Sequence, residues 1–265
     1  MSWLEAFLLG ILQALTEFLP VSSSGHIELG KVFLAIDNAD DKTFSVLVHV
    51  ATVISTIIVF RRDVGTLLKE ALRFEWNDST RFISLLVLSA VPVGTLGLLF
   101  KDEVDVLFQG NLVLVGSMLL VTAGLLLLTR YKSGGMEPIS GARAIIIGLA
   151  QTVAILPGIS RSGATISTAL LLGMNRERAA RFSFLMAIVP ILGAGLVEAK
   201  DLVENPDLIK LSPLAMAVGF LTALVVGVFA CRVMLQLVKK GNLHWFAIYC
   251  SALGVAALTI GLFNQ

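Results

Sequence analysis

Long apolar runs near 44–60, 82–100, 111–129, 182–199, 213–235 and 245–263 leave this chain little choice of solvent. Each is long enough, or nearly so, to cross a hydrocarbon core that needs about 17–25 helical residues. Backbone groups find no water there, so a crossing run satisfies its own hydrogen bonds as a helix. Composition agrees: 56% of residues are hydrophobic, 15% are charged, and the mean hydropathy is +0.88. A soluble domain of this length carries about 25% charged residues. The expected fold class is an all-α polytopic membrane protein with about six transmembrane helices. The net charge of +1 says nothing about nucleic acid, but no basic, aromatic-rich stretch appears, so no nucleic-acid partner is expected. Cys231 and Cys250 lie in apolar runs without metal-ligand spacing and read as packing residues. Met1-Ser2-Trp3-Leu4-Glu5 has no basic n-region or small-residue cleavage site, so a removable signal peptide is not expected.

The connections sort by charge. Arg61, Arg62, Lys69, Arg73 and Arg81 fall in one, and Arg130, Lys132 and Arg143 in a second. Arg176, Arg178 and Arg181 fall in a third, and Lys239 and Lys240 in a fourth. Lys101-Asp102-Glu103 with Asp105, and Lys200-Asp201 with Glu204 and Asp207, are richer in acid. The positive-inside rule puts the basic connections in the cytoplasm and both termini on the outer side. Two stretches, about 3–36 and 144–174, must then return to the side they came from. Each is an apolar helix, a Pro/Ser/Gly break and a second short apolar piece, the pattern of a re-entrant hairpin.

The two stretches are copies. Gly10-Ile11-Leu12-Gln13 matches Gly148-Leu149-Ala150-Gln151, and Ser22-Ser23-Ser24-Gly25 matches Ser160-Arg161-Ser162-Gly163. One spacing, 138 residues, relates both pairs and also takes Phe44-Ser45 to Phe182-Ser183 and Asp63 to Asp201. Proline slips by one, Pro20 against Pro157. A constant spacing over separated blocks marks an internal repeat. Within a single membrane domain over 1–265, repeat one covers about 1–130 and repeat two about 139–265, each a hairpin followed by three spans. An odd number of crossings inverts the second copy, so the hairpins come from opposite sides and meet near the midplane. Architectures of this kind place polar sites there.

The breaks carry the chemistry. Gln13 and Glu17 are four apart and share a helix face. A carboxylate at that depth needs a partner, a cation or water, so Glu17 is a functional candidate; the plain alternative is a hydrogen-bonded helix interface. Ser22, Ser23 and Ser24 follow Pro20 and precede a helix. They suit N-capping, and the same geometry suits a phosphate. His26 beside them can serve as nucleophile, base or acid, whereas His49, alone in an apolar helix, reads as a buried, satisfied residue. In the second break Arg161 stays charged and needs an anion. Glu17 alone would satisfy it, but Arg161 with Ser160, Ser162 and Thr165 resembles a phosphate clamp. No Walker loop, HExxH or GxSxG is present, which excludes P-loop nucleotide hydrolysis, zincin and α/β-hydrolase chemistry.

Gln13-x-x-x-Glu17-Phe18-Leu19-Pro20-Val21-Ser22-Ser23-Ser24-Gly25-His26 resembles the first signature of the undecaprenyl-pyrophosphate phosphatase family, also called bacitracin-resistance proteins. Pro157-Gly158-Ile159-Ser160-Arg161-Ser162-Gly163-Ala164-Thr165 resembles the second. The resemblance spans the chain, with Phe182-Ser183 and Phe246-Ala247-Ile248-Tyr249 late in it. It implies a bacterial inner-membrane enzyme that hydrolyses undecaprenyl pyrophosphate to the monophosphate and orthophosphate with Mg²⁺ or Ca²⁺. It also implies recycling of the cell-wall lipid carrier and bacitracin resistance, with a polyprenyl pyrophosphate and membrane lipids as partners; a homodimer is compatible with it.

The roles expected on this reading are specific. Arg161, Ser160, Ser162 and Thr165, with Ser22 and Ser24, hold phosphate oxygens. Glu17, helped by Gln13, orients the cation. Ser23 with His26 as its base is favoured as nucleophile over His26 itself or an activated water. The rival from another class is a secondary transporter or flippase for a phosphorylated lipid or anion, which inverted repeats also suit.

Overall fold

The computed structural model describes residues 1–34, 42–100, 103, 111–131, 135–204 and 211–263. Among these residues every regular element is helical. The first half runs α1 (Trp3–Phe18), α2 (Ser23–Leu34), α3 (Lys42–Val59), α4 (Arg61–Ala71), α5 (Asp78–Leu99) and α6 (Leu112–Leu128). The second runs α7 (Gly141–Val153), α8 (Arg161–Leu171), α9 (Arg176–Glu204), α10 (Pro213–Lys240) and α11 (His244–Phe263). Lys101, Asp102, Asp105, Lys132, Asp207, the side chain of Asp201 and residues 35–36 of the expected first hairpin lie outside the described residues.

Helices α5, α6, α9, α10 and α11 are each long and apolar enough to cross a membrane, so the chain is a multi-pass membrane protein. The remaining expected span, 44–60, meets that test only together with α4, from which it bends by 83°. Helices α5, α7, α8 and α9 begin earlier than their apolar runs do. Asn77, Ser140 and Ser160 each accept a backbone N–H in the first turn of α5, α7 and α8, carrying the helix back to a polar cap. Helix α9 starts at Arg176 rather than 182, because its charged first turns stay helical past the edge of the apolar run.

The surface pattern identifies the solvent. On α10, Leu221, Val225 and Phe229 point outward at four-residue spacing and are all more than half exposed. Gly219, Ala223, Gly227 and Ala230 on the same helix are buried. Large side chains outside and small ones between helices is how helices pack when lipid surrounds them. Helices α6 and α11 show the extreme case. A Cβ on Gly116 would lie 2.8 Å from the Gly254 carbonyl oxygen, and one on Gly254 would lie 2.9 Å from that of Gly116.

Contacts come in matched pairs. Helix α1 packs along α10 and α7 along α5; α3 packs on α10 and α9 on α5. Exchanging each helix with its counterpart in the other half turns the first member of each pair into the second. Helices α6 and α11, themselves counterparts, pair with each other. This arrangement brings both Ser-rich breaks into the interior.

Candidate active site

Each break is built from caps and one strained turn. After Phe18 the chain leaves the helix in an extended Leu19 and reaches Ser22 at φ 69°. A left-handed serine persists only when its surroundings fix it. Here Ser22 Oγ accepts from the N–H of Gly25, capping α2, and from the N–H of Gly158 in the second break, both at 3.2 Å. Ser160 Oγ caps α8 in the same way, accepting from Gly163 N–H at 3.1 Å. The breaks touch: a Cβ on Gly25 would sit 3.3 Å from Gly158 Cα, and one on Gly163 3.4 Å from Pro20 Cβ. Gly158 itself needs glycine, with φ 101° and a would-be Cβ 2.4 Å from the Val115 carbonyl. Thr122 of α6 pins this turn, donating to the Gly158 carbonyl and accepting from Ser160 N–H, each at 3.0 Å.

Because Ser22 Oγ serves two buried N–H groups, Ser22→Ala is expected to destabilise the protein by about 1–3 kcal/mol per unsatisfied donor. Thermal unfolding in detergent measures this; an unchanged midpoint would refute the bridging role.

Glu17 is the centre of the site and 9% exposed. Its Oε1 accepts from Arg161 Nη2 at 2.5 Å. Its Oε2 accepts from the Ser23 hydroxyl at 2.9 Å and from Gln13 Nε2 at 3.2 Å. The helical i,i+4 relation set up the Gln13 contact; tertiary packing alone supplied the Arg161 contact, 144 residues away. Two polar atoms of the site remain over: Arg161 Nη1 and Gln13 Oε1 are buried without a partner among the described residues. One is a cationic donor, the other a neutral acceptor. Arg161 lines a narrow cleft together with Glu17, Thr52, Thr56 and, on its apolar wall, Phe18 and Phe184.

His26 is placed apart from the Ser23–Glu17 contact. Its Nδ1 donates to the Ser22 carbonyl at 2.7 Å, which leaves Nε2 of the neutral ring to accept from the Tyr249 hydroxyl at 2.7 Å. The two rings stack, with centroids 5.6 Å apart and planes 5° from parallel. Ser23 therefore presents its proton to Glu17, whereas the sequence reading had favoured His26 as its base.

The remaining serines and Thr165 are already engaged. Ser24 Oγ lies 3.3 Å from Ser22 Oγ. Ser162 Oγ donates to the Leu19 carbonyl at 3.3 Å and lies 3.2 Å from Ser160 Oγ. Thr165 Oγ1 returns to the Arg161 carbonyl at 2.8 Å and meets Ser183 Oγ at 2.6 Å. In this state these hydroxyls hold the breaks together and set the Arg161 backbone.

Sequence reasoning missed several members. His49 was read as a bystander, yet its Nε2 is 3.1 Å from Gln13 Nε2 and 3.8 Å from Glu17 Oε2. Its Nδ1 donates to the Ser45 carbonyl at 2.7 Å, so Nε2 accepts from the Gln13 amide. The repeat of Phe44-Ser45 at Phe182-Ser183 was the available signal, since Ser45 stands four residues before His49. Thr122 carried no such signal, and Tyr249 was visible only within the late motif.

The donor set can be tested against a hard divalent cation. Among the described residues no three His, Cys, Asp or Glu gather in one place. The site offers the Glu17 carboxylate and the unpartnered Gln13 Oε1, both oxygens. Mg²⁺ is commonly held by one or two carboxylates together with substrate phosphates, and this pair fits such a shared site.

Comparisons with known proteins place the chain in a family. The family model described as "Bacitracin resistance protein BacA" matches residues 6–256. An undecaprenyl-diphosphatase of Bacteroides thetaiotaomicron is 46% identical over 260 residues, 97% of this chain and 98% of the relative. Proteins of the same name from Salinibacter ruber and Korarchaeum cryptofilum are each 41% identical, over 96% and 97% of this chain and 97% and 98% of their own lengths. With a buried Glu–Arg–Ser constellation at the meeting point of two Ser-rich breaks, and a family match over nearly its whole length, the chain belongs to the bacitracin-resistance protein BacA family.

Proposed function

We propose that this chain is an undecaprenyl-diphosphatase of the bacterial inner membrane, releasing orthophosphate and returning the monophosphate carrier to cell-wall synthesis. The observation that carries the mechanism is the contact of Ser23 Oγ with Glu17 Oε2 while Glu17 Oε1 holds Arg161. Glu17 Oε1 takes the guanidinium position that a phosphate oxygen of the substrate would compete for. A pyrophosphate that engages Arg161, including its unpartnered Nη1, frees the Glu17 carboxylate to act as base. Ser23 Oγ then attacks the terminal phosphorus and passes its proton to Glu17. A new P–O bond forms at Ser23, and the bond to undecaprenyl monophosphate breaks with its electron pair leaving on that product. Glu17 gives its proton up to solvent. In the second half-reaction a water attacks the phosphoserine, its proton goes to Glu17, and Ser23 Oγ leaves and is reprotonated. Arg161 holds the charge that builds on the phosphoryl oxygens in both halves. Glu17 and Gln13 Oε1 would hold the divalent cation, which supplies neutralisation of the pyrophosphate oxygens. The isoprenoid tail stays in lipid along the exposed apolar helix faces.

A second reading rests on His26. With Nδ1 tied to Ser22, its Nε2 lone pair is directed outward and held by one hydroxyl, Tyr249, so it could attack phosphorus directly. One measurement tests the enzyme reading and a second separates the two nucleophiles. Purified protein in detergent, where no gradient exists, is expected to release orthophosphate from undecaprenyl diphosphate in a cation-dependent manner. No release from several polyprenyl diphosphates would sink the enzyme reading and favour transport. Rapid quench and mass mapping is expected to find phosphate on Ser23; phosphohistidine at His26 in a Ser23→Ala variant would overturn the serine route.

A further inference from the structure

A second cleft, of about 470 Å³, opens where the start of α9 meets the α3–α4 bend and the end of α10. It shares no lining residue with the catalytic cleft. The Phe60 ring, on its wall, packs 6.3 Å from Phe184, which lines the catalytic cleft, so an aromatic pair parts the two. Its charges do not cancel. Asp63 pairs with Arg181 and Glu177 with Lys239, each at 2.8 Å. Each acid thus consumes one base, and among the described residues the guanidinium of Arg178 is left over on the cleft wall. Arg181 gives Nη2 to Asp63, lays its guanidinium over Phe82 at 4.9 Å, and keeps a buried Nε without an acceptor among the described residues. The rest of the wall, Val59 and Leu235, is apolar.

The neighbouring helix fixes the level at which this cleft opens. Helix α4 carries Asp63 and turns 83° from the spanning direction of α3. Its inward face is Val64, Leu67 and Ala71, while Leu68 and Leu72 face out at 60% and 73% exposure. Trp76 follows, also exposed, and Arg62, Lys69 and Arg73 flank the outward stripe. An apolar stripe edged by cations with a terminal tryptophan is the composition of a helix lying in the interface, its apolar side in acyl chains and its cations among headgroups. A cleft that begins at such a helix opens at the height of lipid phosphates.

We propose that this cleft binds the headgroup of an anionic phospholipid, with Arg178 as the principal phosphate contact and Val59 and Leu235 against the first carbons of the chains. Basic pockets between helix ends at the membrane surface suit this ligand. The site is separate from the catalytic one and does not depend on the reaction proposed for it.

Native mass spectrometry of the full chain in mild detergent, titrated with phosphatidylglycerol, phosphatidylcholine or sodium orthophosphate, tests this. Phosphatidylglycerol is expected to be retained over phosphatidylcholine. Arg178→Gln is expected to weaken that retention about fivefold, the effect of one interfacial charge. Arg178→Lys keeps the charge and is expected to restore most of it. Detergent turnover should be unchanged in both variants, since Arg178 lies outside the catalytic cleft. Equal retention of the two lipids, or equal retention by wild type and Arg178→Gln, overturns the proposal. So does displacement of the lipid by orthophosphate at equal concentration, which would make the cleft a site for free phosphate.

Discussion

Arg161→Ala is expected to lower kcat/KM by about 10²–10³, the cost of removing one preorganised donor from a developing oxyanion, or more, because two of its nitrogens face the site. Arg161→Lys should recover only part of this, since a point charge cannot reproduce the guanidinium fork. Stability has to be separated from catalysis. Arg161→Ala leaves Glu17 buried without its cation, and breaking a buried pair costs about 3–5 kcal/mol. The double variant Glu17→Gln, Arg161→Gln removes both charges and should melt closer to wild type while remaining inactive. Steady-state kinetics and thermal unfolding on the same preparations decide the matter. A double variant that regains stability and turnover together would show that Arg161 acts only as a structural partner.

Glu17→Gln is expected to cost about 10²–10⁴ in kcat, the usual contribution of a positioned base. The substitution keeps the size of the side chain and leaves Ser23, Gln13 and Arg161 in place, but removes the charge on which their three donated hydrogen bonds converge. Two readouts distinguish a base from a mere anchor. Phosphoserine formation should fall with kcat, and the cation concentration for half-maximal rate should rise, because a neutral amide replaces the Glu17 carboxylate. Turnover within tenfold of wild type would remove Glu17 from the proton transfer.

What was legible in the sequence was what short-range periodicity and polarity control. Helix, break, helix could be read from Pro20, Ser22 and Pro157, Ser160, because a proline cannot continue a helix and a serine can start one. The pairing of Gln13 with Glu17 follows from a four-residue step on one helix. The bend at Phe60 was not legible, since hydropathy averages through it and Arg61-Arg62 read equally well as a span end or as an interfacial helix. His49 was discounted for being alone in its helix, a judgement that ignores which helix faces it.

Lipid as the solvent, the helical class, the two Ser-rich breaks and the types of group that meet there follow from residue order alone. Apolar run length and local capping decide those before any packing occurs. Which groups meet is a matter of packing: Ser23 faces Glu17 and not His26, His26 lies on Tyr249, and Gly158 seats against Ser22. These contacts join residues more than 130 apart, except Ser23 with Glu17, where the left-handed turn at Ser22 sets the direction. Close approach of glycines, hydrogen bonds to otherwise unsatisfied N–H groups and a single strained serine selected one arrangement among those that the same residues could have formed.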